Sequence, residues 1–234
     1  MTSVLIVGGV RSGKSAYAEK IMAGAPADPG VAYVAPGPVP DPVQDPEWAA
    51  RVAVHQKRRP EHWTTIETAD VPGAVASTDR PMLVDCLGTW VTRLVDDSGT
   101  WSERDRARTV VQSAADRLCL ALRAAPAPVV LVSNEVGLGV VPDHPSGRLF
   151  RDLLGMVNVA VSTECTHVLW VVAGRVLDLS TAPTITGPPR PDLFAASGTE
   201  AKTAGRPGTE STLRPRPTSE DELSQRPGSA RTAV

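Results

Sequence analysis

Short apolar runs alternate with amphipathic stretches over most of this chain. Apolar runs fall at residues 3–7, 31–35, 64–67, 82–85, 129–133 and 168–172. Most do not alternate apolar with polar, the pattern of strands covered on both faces. Between them, helical periodicity predicts helices over 14–22, 46–57, 90–94 with its flanks, 101–124 and 147–163. Pro126 and Pro128 close the Ala-, Arg- and Leu-rich fourth helix. Strand, helix, strand, helix predicts an α/β domain with a mostly parallel sheet.

The periodicity stops near residue 182. Over 183–234, 13 of 52 residues are Gly or Pro, and only Ile185, Leu193, Phe194, Leu213, Leu223 and Val234 are large and apolar. Such a stretch buries too little surface to offset its ordering entropy, so a disordered tail is expected there and a single domain over 1–182. A net charge of -2 offers no field for a polyanion and argues against nucleic acid as a partner. No apolar run reaches the ~20 residues of a membrane span, and no basic leader precedes the first strand. Cys86, Cys119 and Cys165 are too few and too scattered for a disulfide framework or a zinc site. The expectation is a protein of the reducing cytoplasm.

The first apolar run leads directly into Gly8-Gly9-Val10-Arg11-Ser12-Gly13-Lys14-Ser15, which satisfies G-x-x-x-x-G-K-[ST], and a helix pattern follows at once. That is the context a P-loop requires. The glycines let backbone N–H groups turn inward around a phosphate, and the helix adds its positive end. Lys14 can reach the β and γ phosphates, and Ser15 can hold Mg²⁺. Asp85 ends the fourth apolar run. It either caps the following segment or stands beside the magnesium; the P-loop favours the second role.

Residues 45–60 carry the other informative pattern. Asp45 and Pro46 make a helix start, Glu47 and Arg51 are spaced to pair, and Trp48, Val52 and His55 share one face. Lys57, Arg58 and Arg59 follow. Residue types alone leave His55 either a packed side chain or a nucleophile, since neutral imidazole is a good nucleophile near pH 7. His62, His144 and His167 have no comparable setting.

Four blocks together resemble a known family, the bifunctional adenosylcobinamide kinase/adenosylcobinamide-phosphate guanylyltransferases of cobalamin biosynthesis. They are the P-loop with its Arg11-Ser12 pair; Arg51, His55, Arg59, Pro60 and Trp63; residues 84–92; and Ser133 to Pro142, continuing to Arg148, Arg151, Asp152 and Asn158. The resemblance spans about residues 3–178. It implies a RecA-like P-loop fold, often a homotrimer, and two reactions. One phosphorylates adenosylcobinamide with ATP or GTP. The other transfers GMP from GTP to the resulting phosphate through a GMP-histidine, for which His55 is the matching residue. It also implies GTP contacts at Gly8–Ser15, Ala35, Pro36, Gly37, Gln56, Lys57, Arg58, Arg59, Glu67 and Asp85. The sequence departs from the family at Gln56, where lysine is usual, and at Pro36-Gly37, where hydroxyl residues are usual. The competing expectations are a P-loop small-molecule kinase without guanylyl transfer, and a GTP-binding regulator. The second of these calls for an Asn-Lys-x-Asp motif that the sequence lacks.

Overall fold

The computed structural model describes residues 2–185 and Gly187. Its elements are β1 (Ser3–Gly8), α1 (Lys14–Met22), β2 (Ala32–Ala35), α2 (Pro46–Arg58), β3 (Thr64–Glu67), α3 (Val71–Ala76) and β4 (Met82–Asp85). Then come α4 (Leu87–Ser98), α5 (Arg104–Ala124), β5 (Val129–Asn134), α6 (Pro145–Ser162), β6 (His167–Val172) and β7 (Arg175–Asp178). One sheet holds all seven strands in the order β3-β2-β4-β5-β1-β6-β7. Every pair is parallel except β6–β7. β5 lies between the strand that feeds the P-loop and the strand that ends in Asp85, the RecA-like arrangement the resemblance implied.

The apolar runs do not alternate because both faces of the sheet are covered. Leu5, Val34, Met82, Val84 and Leu131 pack against α3, α4, α5 and α6. Their neighbours Val4, Ile6, Tyr33, Leu83, Val130 and Val132 pack on the opposite face with Ala18 and Met22 of α1. Trp90 of α4 is wholly buried, and its indole N–H donates to the Ala69 carbonyl at 2.9 Å.

Two elements were absent from the sequence reading. Helix α3 contains Pro72 and Gly73, poor helix formers, and exists because Val71, Ala74 and Val75 are buried. Strand β7 returns from β6 through Ala173 and Gly174, both at positive φ. The fourth predicted helix starts at Arg104 and not at 101, whereas α4 covers 90–94 with flanks on both sides, as expected. The expected Glu47–Arg51 pair does not form among the described residues. The three cysteines are free. No described helix is long and apolar enough to cross a membrane. Residues up to Thr184 belong to one compact unit. The tail expected over 183–234 lies, from residue 188 onward, outside the described residues.

Candidate functional site

Parallel strands present all their carboxyl ends along one edge of a sheet, where α/β proteins bind ligands. Among those ends are Gly8, Ala35, Glu67, Asp85 and Asn134. A cleft opens along them, lined also by Lys14, Ser15, Tyr33 and Gly37, and roofed by Trp48, Arg51, Val52 and His55 of α2.

The P-loop wraps one end of the cleft. A Cβ on Gly8 would stand 2.6 Å from the Val171 carbonyl oxygen and 2.7 Å from Ser12 Oγ, so only glycine fits. Gly13 precedes α1 at φ 96°, and Arg11 takes φ 57°. These left-handed turns face successive amides inward. Lys14 is buried and donates to the Gly9 carbonyl at 3.2 Å. Ser12 Oγ is buried without a partner, an orphan that a bound phosphate would satisfy. Val10 is exposed and turns away from the loop's interior.

Asp85 is the hub. Ser15 Oγ donates to its Oδ1 at 3.3 Å, and the Tyr33 hydroxyl donates to its Oδ2 at 3.1 Å. Burial, and then the Asp85 charge, push the Tyr33 hydroxyl far above the usual tyrosine range, so it remains a donor. The hydroxyl and carboxylate oxygens of Ser15 and Asp85 are hard donors of the kind Mg²⁺ takes. Beside them, burial and then the Asp85 charge raise the Cys86 thiol; it donates to Asn134 Oδ1 at 3.4 Å.

Helix α2 buries none of its residues in the core and is tied down by polar contacts. Asp45 caps it through the Trp48 amide at 2.9 Å, and the Trp48 indole donates to the Pro38 carbonyl at 3.1 Å. The Trp48 ring rests on Gly37, where a Cβ would come within 3.0 Å, which gives the glycine in the unusual Pro36-Gly37 pair a steric reason. At the other end, the Arg59 guanidinium lies 3.3 Å from the centre of the Tyr33 ring, and Nη1 donates to Thr65 Oγ1 at 3.0 Å. Between these anchors His55 reaches down, its Nδ1 3.8 Å from Asp85 Oδ2 and 3.8 Å from Glu19 Oε1. Burial is the main influence that lowers its pKa below the ordinary histidine value.

The sequence-predicted residues therefore fall into two groups. Lys14, Ser15, Ala35, Gly37, His55, Arg59, Glu67 and Asp85 all line the cleft. Pro36 is buried behind it, while Gln56 and Lys57 are exposed on α2 and do not line it. Two residues went unnoticed in the sequence. Tyr33 reads as one more apolar strand position, though its polar tip was a signal. Glu19 follows Ser15 by four residues, so the two share a face of α1, a spacing that could have flagged it. The downstream Arg148 and Arg151 act away from the cleft: they clamp the 137–143 loop through its carbonyls at 2.8–2.9 Å.

A seven-stranded sheet with a P-loop, a strand-end carboxylate and an orphaned loop hydroxyl defines a P-loop phosphate-binding α/β protein. A family model described as cobinamide kinase / cobinamide phosphate guanyltransferase matches residues 4–179. The chain belongs to this family, and the kinase and guanylyltransferase class expected from its sequence is the family's own. It is 36% identical over 186 residues to the bifunctional adenosylcobalamin biosynthesis protein CobU of Salmonella typhimurium LT2, covering 73% of this chain and 96% of that protein. It is 34% identical over 180 residues to CobU of Escherichia coli K12, with the same coverage of 73% and 96%. Among solved structures it is similar to the KaiC-like protein PH0186 of Pyrococcus horikoshii OT3, at 14% identity and a TM-score of 0.36, covering 72% of this chain and 70% of that one.

Proposed function

We propose that the protein performs two successive transfers in this one cleft. It phosphorylates the aminopropanol hydroxyl of adenosylcobinamide with ATP or GTP. It then transfers GMP from GTP to adenosylcobinamide phosphate through His55, giving adenosylcobinamide-GDP and pyrophosphate. One observation carries the reading: a histidine from a separate helix turns into the P-loop cleft, with Nδ1 3.8 Å from Asp85. A P-loop kinase needs no such residue, whereas a double displacement needs a nucleophile that also leaves.

The residues suggest the following division of work. Backbone amides of Gly8, Gly9, Val10, Arg11, Ser12 and Gly13, with Lys14, bind the phosphates and receive the charge that develops on the leaving group. Ser15 and Asp85 would hold Mg²⁺, which when bound supplies further charge neutralisation. Ala35, Gly37 and Glu67 border the nucleotide from the β2 and β3 ends, with Pro36 behind them. Arg59, just past the end of α2, borders it from the other side, while Gln56, Lys57 and Arg58, which the resemblance also implies, stand on α2 outside the cleft lining. In the first half of guanylyl transfer a ring nitrogen of His55 gives its lone pair to the α-phosphorus. The bond from that phosphorus to the bridging oxygen breaks, and pyrophosphate leaves with the electron pair. In the second half a phosphate oxygen of the acceptor attacks the same phosphorus, and the imidazole departs. The phosphorylation step rests on positioning and charge neutralisation. The family resemblance further supports a homotrimer working in the cytoplasm.

The test uses GTP labelled at the α-phosphate. After denaturation the protein should carry label that is acid-labile and alkali-stable, and His55→Ala should carry none. An unlabelled wild-type protein, under conditions where cobinamide is phosphorylated, refutes the reading.

A further inference from the structure

We infer that Glu19 is a positioning residue for the guanylyl-transfer half of the reaction, acting through His55 and Arg58. The inference rests on the reading of His55 as the nucleophile.

Glu19 is 9% exposed although it carries a charge, and burying a carboxylate is costly unless it is paired. Its partners all come from α2, a helix with no buried residue of its own. Arg58 Nη2 donates to Glu19 Oε1 at 3.1 Å, across 39 residues of sequence. The same Nη2 lies 3.2 Å from His55 Nδ1. A guanidinium has no acceptor, so it donates to both and ties the imidazole to the carboxylate. Glu19 thus fixes the last turn of α2, which carries the nucleophile, against the helix that carries the P-loop serine.

Asp85, the other carboxylate near the ring, is already engaged. Its two oxygens accept from Ser15 and Tyr33, and it is the proposed partner of the metal. Glu19 stands at the same 3.8 Å from Nδ1 as Asp85 and is the one of the two with no part in the proposed metal site. With Nδ1 accepting from Arg58 the ring proton sits on Nε2, so attack on the α-phosphorus uses the Nδ1 lone pair once Arg58 releases it, and the ring gains a positive charge as the N–P bond forms. Glu19, with Oε1 3.8 Å from Nδ1, opposes that charge directly. Phosphorylation of the corrinoid alcohol passes through no such cation and does not call on the pair. Removing the Glu19 charge should therefore separate the two activities.

The experiment measures single-turnover labelling of the full-length protein by α-labelled GTP and, on the same preparations, phosphorylation of cobinamide. Glu19→Gln keeps the size of the side chain and Glu19→Ala removes it. The labelling-to-phosphorylation ratio should fall tenfold or more in both, with the loss persisting at saturating GTP. A ratio unchanged from wild type, including a proportional loss of both activities, overturns the inference and makes Glu19 a packing residue. His55→Ala separates the two readings. If it still labels, the assignment of the nucleophile is wrong. If it does not label while both Glu19 variants label at the wild-type ratio, that assignment stands and the role of Glu19 falls.

Discussion

Replacing Tyr33 with Phe removes one hydroxyl from the centre of the cleft and leaves the ring in place. The ring is 2% exposed and supports Arg59 from 3.3 Å, so packing is preserved and only the 3.1 Å bond to Asp85 is lost. A hydrogen bond to a charged group contributes about 1.5–3 kcal/mol. Asp85 would keep the longer 3.3 Å bond from Ser15 and would be less firmly oriented. If the full amount appears in the transition state, kcat/KM for both transfers falls about 10- to 150-fold, since ~1.4 kcal/mol is a factor of ten. Unfolding in urea gives the structural side of the same quantity, in a double-mutant cycle with Asp85→Asn. The Tyr33→Phe cost should shrink when the carboxylate is already an amide, because the charged acceptor is gone. A cost of the same size on both backgrounds would mean that the hydroxyl does not act through Asp85. A wild-type kcat/KM in Tyr33→Phe would refute its part in holding the site.

Three other expectations come from burial. The His55 imidazole is held below its ordinary value near 6.5, chiefly by burial and also by Arg58 and Arg59, against the opposing charges of Asp85 and Glu19. The acid limb of kcat/KM for labelling by GTP, which reports the free enzyme, should therefore lie below pH 6.5; a midpoint at or above that value contradicts the geometry. The same shift has a stability sign: below about pH 6.5 the unfolded chain takes up a proton that the folded site resists. Stability from this group is full above that pH and declines as pH falls through the folded value, and His55→Ala should flatten the decline in unfolding midpoints measured between about pH 7.5 and 5. In the sheet, Leu131→Ala empties a fully buried position on the central strand β5. It should lower the unfolding free energy by about 2–5 kcal/mol in urea titrations, and a loss under about 1 kcal/mol would mean that the core there is not closely packed.

Much of the site could be read from local pattern because its chemistry sits on contiguous residues. The P-loop needs a strand, a glycine-rich turn and a helix in immediate succession, and residues 3–22 supply all three. Asp45 and Pro46 announced the helix that bears His55, and an apolar run announced the strand end at Asp85. Short elements were less legible. Neither Val71–Ala76 nor Arg175–Asp178 has the length or propensity to declare itself. Each forms because a neighbour is there to cover or pair it.

The amino-acid sequence by itself determined the alternation of strands and helices, the phosphate loop and the family. It left open which distant residues would meet. Ser15 finds Asp85 across 70 positions, Tyr33 finds it across 52, and Arg58 finds Glu19 across 39. Local periodicity carries no record of such distances. They are set by the order β3-β2-β4-β5-β1, which lines up the carboxyl ends of strands far apart in the chain. Only that ordering brings Tyr33 beneath Arg59 and a buried glutamate of the P-loop helix against the imidazole of another.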